Sequence, residues 1–203
     1  MDFTEKIIGK ERYFNSAVLA LVVNIKNEEH ILFQKRASNI RQGGDISFPG
    51  GKVEKKDRSS LDTALRECYE EIGICREKID IKGKIGTLII PSGVLVEAYL
   101  GYTNLNSLEE LIINKDEVEY CFLIPLSYFK NTTPRIERLQ VETKPYVEID
   151  GKIYKFPAEE LNLPKMYHKP WKSNPREVFM YLYEDKVIWG ITAEIVVELI
   201  KYI

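Results

Sequence analysis

Apolar positions fall in short runs along most of the chain, and in one stretch they recur at a helical spacing. Ser16–Ile25 (SAVLALVVNI) is an apolar run rich in β-branched residues, the pattern of a buried strand. Asn27-Glu28-Glu29 predicts a turn and His30–Lys35 the returning strand. A polar loop carrying Arg36 and Arg41 follows, then a short strand into Gly50-Gly51. Ile79–Ile90, broken by Gly83 and Gly86, and Val94–Tyr102 predict strands on either side of a Pro91-Ser92-Gly93 turn. Glu97 sits mid-strand, and solvent is its expected destination. Asn104–Lys115 is a polar loop with a helical turn near Leu108–Leu111. Asp116–Glu119 is then an acidic entry to an apolar strand ending near Leu126, with a short helix beginning at Pro125.

Arg138–Ile149, Asp150-Gly151 and Lys152–Phe156 predict a hairpin, because Asp-Gly suits a two-residue turn. Residues 157–175 are loop-rich, and Tyr167, His168 and Trp171 are expected to pack that connection. Val178–Tyr183 alternates as a strand. A last helix, Ala193–Tyr202, gathers Ile195, Val196, Leu199 and Ile200 on one face. No internal repeat or domain boundary interrupts this order, so a single domain over 1–203 is expected.

The helical stretch is Ser59–Gly73. Ser59 suits the N-cap with Asp62 as capping-box partner, and Gly73 suits the left-handed residue after the last turn. At about 100° per residue, Glu67, Glu70 and Glu71 share a face with Thr63 and Ser60. Leu61, Leu65, Cys68, Tyr69 and Ile72 gather opposite and are expected to be buried. Carboxylates one turn apart repel by about 0.2–0.5 kcal/mol per pair on an exposed helix. Small residues beneath the acids, and the glycine pair upstream, leave room for a ligand beside bare backbone. Hard cations such as Mg²⁺ take oxygen ligands, so the pattern reads as a divalent-metal site. Arg66 is expected to hold the acids through salt links to Asp62 and Glu70.

Composition narrows the setting. The chain has 203 residues, enough for one sizeable core, with 44% hydrophobic and 30% charged residues. A formal charge of −2 gives no reason to expect nonspecific nucleic-acid binding. No apolar run reaches the roughly 20 residues of a membrane span, and Met1–Lys6 lacks the order of a signal peptide. Cys68, Cys75 and Cys121 read as free buried thiols in a reducing cytoplasm. His30 and His168 are expected at the surface without a catalytic role.

Gly50–Ile74 as a whole resembles the Nudix box, with Arg66-Glu67, Glu70-Glu71 and Gly73 matching its second half. The interval from Gly51 to Arg66 is one residue longer than the common box, and its acid is Asp57 or Glu54. Trp189-Gly190-Ile191-Thr192-Ala193 resembles the ending of many Nudix domains. The resemblance implies an α/β fold, an α/β/α sandwich with a mixed β-sheet, and hydrolysis of a nucleoside diphosphate linked to another group. It implies Mg²⁺ or Mn²⁺ held by Glu67, Glu70, Glu71 and the Gly50 carbonyl. A further glutamate outside the box, Glu117 or Glu119, or a box glutamate itself, would orient or deprotonate water.

Leu32–Gly51 (LFQKRASNIRQGGDISFPGG) resembles the motif preceding the box in the coenzyme A pyrophosphatase subgroup, through Arg36, Ala37, Arg41, Gly44 and Phe48-Pro49-Gly50-Gly51. That resemblance implies coenzyme A as substrate, with 3′,5′-ADP and 4′-phosphopantetheine as products. Forked guanidinium donors suit phosphate oxygens. Lys35, Arg36, Arg41, Gly50 and Gly51 are the expected substrate contacts. A Nudix pyrophosphatase of another nucleoside diphosphate such as ADP-ribose, and a non-catalytic nucleotide-binding module, are the alternatives. Neither a membrane nor a nucleic acid is an expected partner; a homodimer is an assembly open to the chain.

Overall fold

The computed structural model describes residues 7–203. The reading of Met1–Lys6 lies outside them. The chain divides into two compact units: one runs to Pro134 and resumes over Met180–Ile203, the other is Arg135–Phe179.

The first unit is built on a mixed sheet. Its centre is β1 (Phe14–Ile25). The run is apolar at almost every position because both of its faces are covered, and Ala17 and Leu19–Val23 are fully buried. One edge of β1 pairs in parallel with β6 (Val94–Asn104), and β6 pairs antiparallel with β5 (Asp80–Ile90). The other edge is shared. Its C-terminal end pairs with β2 (Glu28–Arg36), while Ser16–Val18 pairs with β4 (Gly50–Lys52). The inner edge of β2 is likewise divided, pairing with β1 near the hairpin and then with β3 (Ile46–Ser47). β7 (Val118–Pro125) covers the far edge of β2. Strands β1 and β2 therefore splay into a fork, and Ile46–Lys52 fills it. The glycine pair is threaded through the sheet there.

Helix α1 (Ser60–Ile72) packs on one face. Its Ala64, Leu65, Cys68 and Ile72 meet Leu19, Leu21, Val23 and Leu32 of the sheet. On the other face Phe33 stacks with Phe48 at 5.2 Å and with Phe122 at 5.8 Å, and meets Phe129 of α2 (Leu126–Asn131). The first unit ends with β14 (Lys186–Trp189) and α3 (Gly190–Leu199), which buries Ala193, Ile195, Val196 and Leu199. This is an α/β architecture on a mixed sheet, as expected.

The second unit holds β8 (Arg135–Leu139), β9 (Glu142–Thr143), β10 (Tyr146–Ile149), β11 (Lys152–Lys155) and β12 (Trp171–Lys172). β10 and β11 form the hairpin, with φ of 50° at Asp150 and 73° at Gly151. Its first arm begins at Tyr146 and not at Arg138, because Pro145 carries no N–H for a ladder. β9 pairs with β12, and Tyr167 packs edge-on against Trp171 at 5.3 Å. β13 (Arg176–Tyr183) carries the chain back, and its Met180–Tyr183 part pairs with β14.

Other boundaries differ from the sequence reading for local reasons. The first turn falls at Lys26-Asn27, both at positive φ, so Glu28 already belongs to β2. Gly83 and Gly86 do not break β5; the pairing slips at each of them and the strand continues through two bulges. Helix α3 begins at Gly190 and ends at Leu199. Tyr69 is 57% exposed and Glu71 only 2% exposed, the reverse of their expected environments. His30 and His168 are half-buried, and Cys75 and Cys121 are half-buried free thiols.

Candidate metal and diphosphate site

Helix α1 is fixed at both ends before it presents any acid. The Ser59 hydroxyl accepts the Asp62 N–H at 3.1 Å. Gly73, at φ 76°, donates its N–H to the Tyr69 carbonyl at 2.9 Å. The loop entering the helix is held by Asp57. Its carboxylate accepts the Glu54 N–H at 2.9 Å and the Thr63 hydroxyl at 2.8 Å. It also takes a two-point contact from Arg66, through Nε at 2.9 Å and Nη2 at 3.1 Å. Asp57 is thus the box-loop acid engaged, and Glu54 instead meets Lys56 at 3.2 Å. The Arg66 fork and the two donors hold the Asp57 carboxyl well below its ordinary range, and Asp57 pushes Arg66 up.

Arg66 does not pair with Asp62, which meets Arg76 at 3.2 Å. The half-buried Asp57, contacted at two points, outcompetes an acid on the solvent side of the first turn. The remaining Arg66 nitrogen, Nη1, donates to Glu67 at 2.8 Å and to Glu70 at 2.7 Å. One guanidinium therefore sets the spacing of the loop acid and two helix acids.

Glu67, Glu71 and Glu117 converge, each with an oxygen within 4.8 Å of the others. Glu71 Oε2 accepts the Gly50 N–H at 2.8 Å. Glu117 comes from the loop before β7, and Asn114 ties that loop to the helix. Its N–H donates to the Glu71 carbonyl at 2.9 Å, and its amide donates to the Glu117 carboxylate at 3.3 Å. Burial lifts the Glu71 carboxyl to about 7, against the pull of the Gly50 N–H and Gln34, with Glu67 adding repulsion. Burial also raises Glu67, and Glu70 and Glu117 push in the same direction, while Arg66 opposes them. Three close acids with too little positive charge around them make a site that a divalent cation relieves.

Two further features fit that cation. Gln34 is fully buried beside Glu71, and its amide oxygen lacks a hydrogen-bond partner, as does the hydroxyl of Ser47 directly across the ladder. Buried polar groups are almost always satisfied, so a hydrated or coordinated group belongs here. Gly51 is the second feature: a Cβ on it would stand 2.5 Å from the Glu67 carboxylate. Only bare backbone lets that carboxylate lie where it does.

The other expected residues lie around this centre. Glu70 is 43% exposed, bonded to Arg66 and 3.8 Å from Lys56, outside the three-acid group. Glu119 is also outside it, paired with Lys35 at 3.1 Å. The Arg36 Nε donates to the Arg41 carbonyl at 3.3 Å, and its charge reaches Glu71. Arg41 lies over the Phe14 ring at 5.5 Å. Glu97 does not meet solvent: it is buried and bonded to Lys10 at 2.6 Å, Lys84 at 2.6 Å and Ser60 at 2.8 Å. Burial raises its carboxyl, but those donors outweigh burial and hold it low. Gln34 and Asn114 were invisible as site residues, because neither belongs to a periodic acid pattern.

The NUDIX domain model matches residues 14–140, more than half of the chain, and the chain belongs to that family. Its relatives bear the family out and mark it as a Nudix hydrolase. An uncharacterised Nudix hydrolase NudL of Photorhabdus laumondii is 27% identical over 188 residues, covering 92% of this chain and 84% of its own. Nudix hydrolase 3 of Caenorhabditis elegans is 28% identical over 183 residues, covering 88% of this chain and 69% of its own. A MutT/nudix family protein from Enterococcus faecalis shares the fold at a TM-score of 0.54 and 16% identity, over 98% of this chain and 63% of that one. Nudix hydrolases generally use divalent metal ions. Among the described residues no helix is long and apolar enough to cross a membrane.

Proposed function

We propose that this Nudix hydrolase cleaves the diphosphate linkage of coenzyme A or its acyl derivatives, giving 3′,5′-ADP and 4′-phosphopantetheine. The observation that carries the hydrolytic part is the convergence of Glu67, Glu71 and Glu117 within 4.8 Å beside the Gly50-Gly51 backbone. The substrate part rests on the loop from Arg36 to Gly51 and its likeness to the coenzyme A subgroup. That loop is attached to the acids: the Ala37 N–H donates to the Glu117 carbonyl at 2.9 Å. The whole chain is read as one Nudix hydrolase domain.

Glu67, Glu71 and the Gly50 carbonyl would hold Mg²⁺ or Mn²⁺, and Glu70 would join them on leaving Arg66. When bound, the cation neutralises the diphosphate and acidifies water. Glu117 orients the attacking water or takes its proton at a carboxylate oxygen, with Glu119 the other acid of that segment. Arg36, Arg41 and Lys35 supply cationic donors to phosphate oxygens. Arg66 touches no substrate in this scheme; it fixes Glu67 and the loop.

The test is a substrate panel with Mg²⁺ or Mn²⁺ and product identification by mass spectrometry. Coenzyme A is expected to be turned over with a higher kcat/KM than dephospho-coenzyme A or ADP-ribose. Preference for ADP-ribose would replace the substrate assignment. No product from any diphosphate would point to a non-catalytic nucleotide-binding module.

A further inference from the structure

A cavity of about 430 Å³ opens on the sheet face opposite α1. Along β2, Leu32 packs under α1 while Phe33 turns to the other face, and Lys35 follows Phe33 by one period of two. Lys35 and its cross-strand neighbour Tyr120 form one wall. Met180, Val187 and Trp189 form the other; Met180 and Trp189 are direct partners, and Val187 shares their face. Gly44–Ile46 close the floor. An aromatic ring thus stands in each wall. Lys186 reaches to 5.6 Å from the Tyr120 ring, and Lys35 stands 5.5 Å from the same ring. Asp45 and Asp185 add acceptors. The volume lies within the range of ligand pockets, about 300–1,000 Å³.

The cavity is coupled to the acids by covalent neighbours. Tyr120 is three residues beyond Glu117, a span of about 10 Å in extended chain. Arg36, whose charge is felt at Glu71, donates its N–H to the Asp45 carbonyl at 3.0 Å and accepts the Gly44 N–H at 3.0 Å.

We propose that this cavity is the nucleoside subsite: a purine lies between Tyr120 and Trp189, and its ribose phosphate meets Lys35 and Lys186. The diphosphate then passes Arg36 to reach the acid cluster. Paired rings suit the faces of any base, cations over rings keep the slot compatible with phosphate, and the aspartates suit an exocyclic amino group. The inference rests on the hydrolase reading above and names which end of the substrate goes where.

The chain has two tryptophans, so Trp171→Phe leaves Trp189 as the sole indole reporter. Titration of that variant with adenosine 3′,5′-diphosphate is expected to quench its emission saturably, while 4′-phosphopantetheine and inorganic phosphate leave it unchanged. Tyr120→Ala should weaken the nucleotide at least tenfold. It should also raise KM for coenzyme A at least tenfold, with kcat within twofold. Lys186→Gln provides the same readout should Tyr120→Ala fail to fold. Turnover of coenzyme A without quenching, or quenching by 4′-phosphopantetheine in place of the nucleotide, would overturn the subsite and leave the hydrolase reading intact. Saturable quenching without turnover of any diphosphate would keep the subsite and remove the hydrolase reading.

Discussion

Glu71 carries the electrostatic cost of the site. Its carboxyl is lifted from an ordinary 4.5 to about 7, chiefly by burial. The folded state therefore holds this proton more tightly than the unfolded chain does, and ionising Glu71 opposes folding. The stabilising effect of the proton is full below about pH 4.5 and is lost as pH rises through 7, a change of roughly 3 kcal/mol. Metal-free wild type should lose thermal stability across that window relative to Glu71→Gln, as read by paired melting curves. Gln34→Leu should lower Mn²⁺ affinity about 10- to 100-fold, the usual effect of removing a group that orients a ligand, as calorimetry would measure. Helical spacing put all the acids on one open face. The buried face is in fact centred nearer Ala64 and Cys68, which draws Glu71 in and leaves Tyr69 at the rim. Angular spacing ranks neighbours on a wheel; it does not say where the sheet touches the wheel.

At the scale of elements, the Asp57–Arg66 contact joins the glycine loop to α1. Asp57→Ala removes a part-buried, two-point ion pair and should cost about 1.5–3 kcal/mol in denaturant unfolding, and weaken metal binding through Glu67. Ser59→Ala removes only the cap and should cost about 1 kcal/mol, leaving the acids in place. The cap, the Gly73 stop and the Asp150-Gly151 turn were legible because each depends on residue types at fixed local offsets. Arg66 was legible as a clamp, and its link to Glu70 holds, but its two-point partner was not legible. Its choice of Asp57 over Asp62 depends on how a loop folds back, which spacing along a helix does not encode.

At the scale of the molecule, a formal charge of −2 gives the chain no strong field of its own. Under the proposed function, attraction for an anionic substrate is local to Lys35, Arg36 and Arg41. Such charges act over about 10 Å at 0.1 M salt, so added salt should raise KM for coenzyme A while kcat holds, in steady-state assays. The long strands of the sheet followed from apolar runs, but their order and the fork did not. β3 and β4 have two and three residues, too few for any period. Yet they carry the glycines to the acids. Whether the three acids grip a cation is most directly measured by electron paramagnetic resonance of Mn²⁺ titrated into wild type and Glu67→Gln. Saturable binding in wild type, weakened more than about a hundredfold in a folded Glu67→Gln, is the predicted result. Equal Mn²⁺ affinity in the two proteins would contradict it.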